Sequence, residues 1–105
     1  MLEYFIPQET RQVVIYLKPI SMRWGLTKLR SFCVEELGME PDPYTAFLFF
    51  NRSQDSLLMY MDAASGEQTV IRKLDRGAFV VPVADADGAP LVTMKPAMIP
   101  KLFRA

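Results

Sequence analysis

Ala46-Phe47-Leu48-Phe49-Phe50, then the polar stretch Asn51-Arg52-Ser53-Gln54-Asp55, then Leu57-Leu58-Met59-Tyr60-Met61: the reading of these residues decides the fold. A strand buried on one face alternates apolar with polar residues, whereas both of these runs are apolar at every position, so each needs cover on both faces. They belong in the centre of a sheet. The connector supplies Asn, Ser and Asp, which turns use for local hydrogen bonds, so the two runs are expected to pair as an antiparallel hairpin.

Working outward, Gln68 to Leu74 and Ala78 to Val83 follow at hairpin spacing across Ala63 to Glu67 and Asp75 to Gly77, so the reading is a four-strand antiparallel meander. On the N-terminal side Val13 to Leu17 is a β-branched apolar run closed by Pro19 and is expected to be a strand. Between them Met22, Leu26, Leu29, Phe32, Cys33 and Leu37 recur at helical spacing, which predicts an amphipathic helix over 22–37 covering one face of the sheet. Ser21 is its expected N-cap and Gly38 its left-handed C-terminal residue, ahead of Pro41 and Pro43. Asp85 to Pro90 reads as a loop, Leu91 to Met94 as a short last strand, and Lys95 to Phe103 as a short C-terminal helix limited by Pro100. The expected architecture is therefore α+β: strand, helix, meander and short helix, in a single domain spanning 1–105.

Composition narrows the chemistry. The 105 residues hold twelve Lys and Arg, twelve Asp and Glu, and no histidine. Histidine is the commonest general base and zinc ligand, so its absence removes the familiar Ser-His and Cys-His nucleophile pairs. The single Cys33 cannot form an internal disulfide, and its spacing puts it on the apolar face of the helix, in the core. The N-terminal Met-Leu-Glu-Tyr-Phe-Ile-Pro has no basic segment followed by an apolar stretch, and no run nears the roughly 20 apolar residues of a membrane span. A cytoplasmic protein, without membrane association, is expected. Asp55, Asp62 and Asp75 would make a metal-dependent nuclease cluster only by converging, and turn chemistry already explains each. Asp85-Ala-Asp87-Gly88 opens like a calcium loop but runs into Pro90, Leu91 and Val92 where further oxygen ligands are needed, so it reads as a turn. Neither a catalytic group, a metal site nor a cofactor is expected.

With zero net charge, binding to an acidic polymer has to come from a local patch. Arg52 lies in the first hairpin loop, and Arg72, Lys73 and Arg76 lie at the end of the third apolar run and its turn, all at the sheet margin. Neighbouring strand residues point to opposite faces, so Arg72 and Lys73 share one patch only if the strand has ended before them. On the helix, Arg23 and Lys28 stand near the N-terminus and Glu35 and Glu36 near the C-terminus, the reverse of what the helix dipole favours.

The series Met22-Arg23-Trp24-Gly25-Leu26, Phe47-Leu48-Phe49-Phe50-Asn51-Arg52 with Asp55, Asp62 ahead of Gly66, Arg72-Lys73-Leu74-Asp75-Arg76-Gly77, then Phe79 and Pro82 resembles the small TnpB-type accessory proteins encoded by the second reading frame of insertion sequence family sixty-six. Met61 and Val81 stand where that pattern has aromatics, and its lysine between Asp55 and Asp62 has no counterpart here. The resemblance implies a non-enzymatic accessory factor in transposition, contacting DNA, the transposase or both. It points to Arg23, Asn51, Arg52, Arg72, Lys73 and Arg76 as nucleic-acid-binding residues. The alternatives are an interaction module repurposed to bind another protein and, third, the nuclease.

Overall fold

The computed structural model describes residues 6–63, 65–82 and 88–99. In chain order it contains β1 (Gln12–Tyr16), α1 (Leu26–Glu35), β2 (Thr45–Phe50), β3 (Ser56–Ala63), β4 (Gly66–Lys73) and β5 (Leu91–Met94), followed by one 3₁₀ turn at Pro96–Met98. The five strands form one sheet in the order β4-β3-β2-β1-β5. β2, β3 and β4 are the expected antiparallel hairpins, with Phe49 opposite Leu58 and Met59 opposite Val70. β1 runs parallel to β2, Val14 opposite Phe47, because α1 carries the chain back across the sheet between them.

β2 is buried along its whole length, and both of its faces are covered. On one face Phe47 and Phe49 join Val14, Leu58 and Tyr60 under Leu29 and Cys33 of α1. Half-buried Phe32 closes that layer, its ring 4.9 Å from Tyr16, 5.2 Å from Trp24 and 6.1 Å from Phe49, centroid to centroid. On the other face Ala46, Leu48 and Phe50 join Val13, Ile15, Leu57, Met59 and Met61. There the cover is irregular chain: Ile6, Phe79 and Ile99.

The α+β class is as expected, and three local details differ. First, α1 begins at Leu26, not Met22; Gly25 is its N-cap, and no side chain caps it. Ser21 instead closes a turn ahead of the helix, its Oγ accepting the Arg23 N–H at 3.1 Å and its carbonyl the Trp24 N–H at 3.3 Å. Met22 and Trp24 still pack on the helix-side core, so the apolar spacing continues through residues that are not helical. At the other end Gly38 takes the expected left-handed backbone, φ 66°.

Second, the meander has three strands. Gly77 turns at φ 78°, and residues 78–82 leave the sheet plane without pairing. The Phe79 N–H bonds the Gln54 carbonyl at 2.7 Å, and its ring packs 5.8 Å from Phe50. Covering the open face of the central strands buries Phe79 more completely than a place in an edge strand would. Third, the last strand joins the opposite edge: β5 pairs antiparallel with β1, Val13 opposite Met94. The expected terminal helix is a 3₁₀ turn over Pro96–Met98, and its part from Pro100 to Phe103 lies outside the described residues.

Phe49 is fully buried where α1 meets the sheet. Phe49→Ala should therefore cost about 3–5 kcal/mol, read as a lowered urea midpoint at an unchanged m-value.

Candidate nucleic-acid interface

The topology sorts the charges. β1 and β2 are parallel and β3 antiparallel to them, so one end of the sheet gathers the chain leaving β1, the start of α1, the β2–β3 loop, the end of β4 and the turn after it. The Ile20 N–H, bonded to the Phe50 carbonyl at 2.9 Å, ties the segment after β1 to that end. Lys18, Arg23, Lys28, Arg52, Arg72, Lys73 and Arg76 all fall there, with Asp55 and Asp75 the acids among the described residues. The opposite end carries Glu9, Glu35, Glu36, Glu40, Asp42, Asp62 and Glu67, with Arg11, Arg30 and Lys95. A chain of zero net charge is thus strongly dipolar. The macrodipole of α1 adds to this polarity, since its N-terminus points to the basic end and its first turn holds no acid.

The loop that carries Arg52 is held by its own side chains. Asn51 Nδ2 donates to Asp55 Oδ1 at 2.7 Å and to Ser53 Oγ at 3.3 Å, and Asn51 Oδ1 accepts the Ser56 N–H at 3.0 Å. Ser53 Oγ donates to Asp55 Oδ1 at 2.9 Å, and Gln54 takes φ 60° at the tip. The Asn51 amide and the Ser53 hydroxyl hold the Asp55 carboxyl below its ordinary range, and nearby Lys73 adds to this. The Asn51 side chain is thus spent on shaping the loop. The loop is tied to the end of β4 as well, the Leu74 N–H bonding the Asp55 carbonyl at 2.8 Å.

β4 continues through Lys73, so Arg72, opposite Leu57, and Lys73, opposite Ser56, point to different faces of the sheet. They flank the edge rather than share one patch. Arg23, Arg52, Arg72, Lys73 and Arg76 are all exposed, and among the described residues no carboxylate lies within 4.0 Å of their charged groups. Lys28 sits 4.5 Å from the Trp24 ring centroid, a cation–π contact. Arg30 is engaged: it donates to Asp62 at 3.1 Å and reaches Glu40 at 3.5 Å.

The sequence reading missed Lys18, whose place beside Arg52 follows only from the parallel pairing of β1 with β2. The three aspartates do not converge. Asp55 and Asp75 lie at the basic end and Asp62 near the far end of β3, seven residues along an extended strand, roughly 23 Å. Among the described residues no three Cys, Asp or Glu side chains could hold a metal ion. No helix among the described residues is long and apolar enough to cross a membrane. Asp85 and Asp87 lie outside the described residues.

Comparison with known proteins gives one finding. Residues 11–103 match the family described as IS66 Orf2 like protein. No curated protein and no solved structure matches the chain.

Cys33, the one thiol in the sequence, is fully buried on the sheet-facing side of α1, and burial pushes it up to about 12. The raised value means the folded chain holds the neutral thiol; this stability is fully present below the ordinary thiol range and is lost as pH climbs from that range towards about 12. A thiol-directed reagent should modify Cys33 slowly at neutral pH and at the rate of a free cysteine once urea unfolds the chain, as followed by mass spectrometry.

Proposed function

The chain belongs to the IS66 Orf2-like family, and on that premise we propose that it is a non-enzymatic accessory factor of transposition whose basic sheet end contacts the phosphates of duplex DNA. Membership carries a transposition-associated accessory role in an insertion sequence. The observation that supports the finer reading is the gathering of exposed cations at one end of a chain of zero net charge. Opposed charge within a Debye length, about 8 Å at physiological salt, cancels a field, and segregation avoids that cancellation. Arg23, Arg52, Arg72, Lys73 and Arg76 supply the contacts, and Asn51 holds the loop that presents Arg52. The helix N-terminus contributes its partial positive charge to the same end.

Contacts of this kind position a protein on DNA without reading its sequence, so the factor is assigned low sequence preference and specificity is left to the transposase. Acting on the element's own DNA places it in the cytoplasm. Nothing in the proposed role calls for chemistry by this chain.

Duplex binding, measured by fluorescence anisotropy, should weaken with salt with a log-log slope of about 0.9 per phosphate contact, hence no more than about 4.5 for five cations. Arg72→Glu combined with Arg76→Glu should abolish binding and leave the melting temperature nearly unchanged, since exposed charges contribute about 0–1 kcal/mol to folding. Lys95→Glu, at the acidic end, should leave binding intact. Absence of any DNA affinity at low salt, with retention of the chain on immobilised transposase, would transfer the role to a protein contact.

A further inference from the structure

The outer edge of β4 is not covered by any other described segment. β4 is eight residues long, lies at the end of the strand order and pairs with β3 without a bulge from Ser56↔Lys73 to Ala63↔Gly66. Its far side therefore presents a continuous row of backbone N–H and C=O groups. Edges of this length are normally blunted by proline, a bulge or charged side chains; β4 has neither proline nor bulge, and its charges, Glu67, Arg72 and Lys73, stand near its two ends. The opposite edge, β5, is only four residues long. Near the middle of β4 two apolar side chains face solvent on opposite faces, Val70 at 36% and Ile71 at 51% exposure.

The sequence of this edge, Gly66-Glu67-Gln68-Thr69-Val70-Ile71-Arg72-Lys73, is complementary to itself when reversed. With Val70 opposite Val70 across a two-fold axis normal to the sheet, Ile71 meets Thr69, Arg72 meets Gln68 and Lys73 meets Glu67, each pair on a common face. The two Glu67–Lys73 pairs are opposite charges placed where cross-strand pairs interact, and Val70 is covered at the axis. Glu67 accepts the Tyr60 hydroxyl through Oε2, which leaves its other carboxylate oxygen for the lysine. The same rotation reverses the strands, so at the seam the basic end of each domain comes alongside the acidic end of the other; Lys73 is then taken up by Glu67 of the second copy, and the phosphate contacts of the proposed role rest on Arg23, Arg52, Arg72 and Arg76. Charge complementarity thus holds at the strand and at the whole domain.

We infer that β4 is a homodimerisation edge, on which a second copy of this chain adds its own β4 antiparallel in the Val70-centred register to make a ten-stranded sheet. The occupant is a second copy rather than an unrelated strand because the charge order along the edge matches its own reversal. Other centres lose this. A register centred on Ile71 sets Thr69 against Lys73 and leaves Glu67 facing Asp75.

The test is sedimentation equilibrium on the full chain without DNA. The wild type should have twice the monomer mass. Glu67→Lys alone and Lys73→Glu alone each place like charges opposite one another twice per dimer, so each should weaken association about tenfold or more. An equimolar mixture of the two variants should recover the dimer, because each lysine-rich edge then meets a glutamate-rich one. Val70→Lys, which leaves both charges and the Tyr60–Glu67 bond in place, should also give a monomer, with a cooperative melt showing that it is folded. A monomeric wild type at high micromolar concentration overturns the inference. So does a dimer that persists in Val70→Lys, or a variant mixture that stays monomeric.

Discussion

The rest of the structure depends on one constraint: β2 has no polar face. All six of its residues are buried, so the chain must lay cover on both sides of it, and among the described residues α1 offers ten residues of helix to do so. α1 takes the Phe47 and Phe49 side. The Leu48 and Phe50 side is left to whatever apolar residues irregular chain can bring, and Ile6, Phe79 and Ile99 are those residues. At about 25 cal/mol per Å² of apolar surface, an aromatic ring repays the loss of ladder hydrogen bonds when it moves from an exposed edge into such a gap. That trade explains why the segment after Gly77 leaves the sheet, and its departure leaves the β4 edge unpaired among the described residues.

The crossover that covers β2 also sets the electrostatics. To return on the same side of the sheet, α1 must run antiparallel to β1 and β2, so its N-terminus lies at the carboxyl end of both strands. Arg23 and Lys28 are carried there, beside Arg52 and the end of β4, while Glu35 and Glu36 are carried to the other end. On the helix alone this arrangement opposes the dipole and costs a few tenths of a kcal/mol to about 1 kcal/mol. For the domain it concentrates one sign at each end, which accounts for charges that helix stability would have placed the other way.

The central hairpin was legible because both strands are apolar at every position and the connector holds turn residues. The position of Gly38 was legible because only glycine takes that backbone at no steric cost. The start of α1 was not, since Met22 and Trp24 pack on the helix-side core from a turn and imitate helical spacing. Neither was the loss of the fourth meander strand: Ala78 to Val83 is apolar enough for a strand, and the pull of the open face on Phe79 is a tertiary effect. For the candidate site, each cation at the margin of the meander was visible one at a time. Their common end became visible only with the parallel pairing of β1 and β2, because a crossover joins residues that no local pattern links, and Lys18 entered the group by that route alone.

An acid inside a basic surface would ordinarily weaken it, and Asp55 stands beside Arg52 in the loop. Its Oδ1 accepts from Asn51, Ser53 and Ser56, at 2.7, 2.9 and 3.4 Å, so the carboxylate is solvated by the loop before any external ligand arrives. The charge remains, but the donors that stabilise it also fix the backbone at Gln54, whose carbonyl anchors Phe79. Removing the acid would therefore gain one unit of positive charge and release both the loop that presents Arg52 and the segment that covers Phe50. At this end of the sheet the fold and the charged surface rest on the same few polar atoms, which is why the loop retains an aspartate where electrostatics alone would favour a neutral residue.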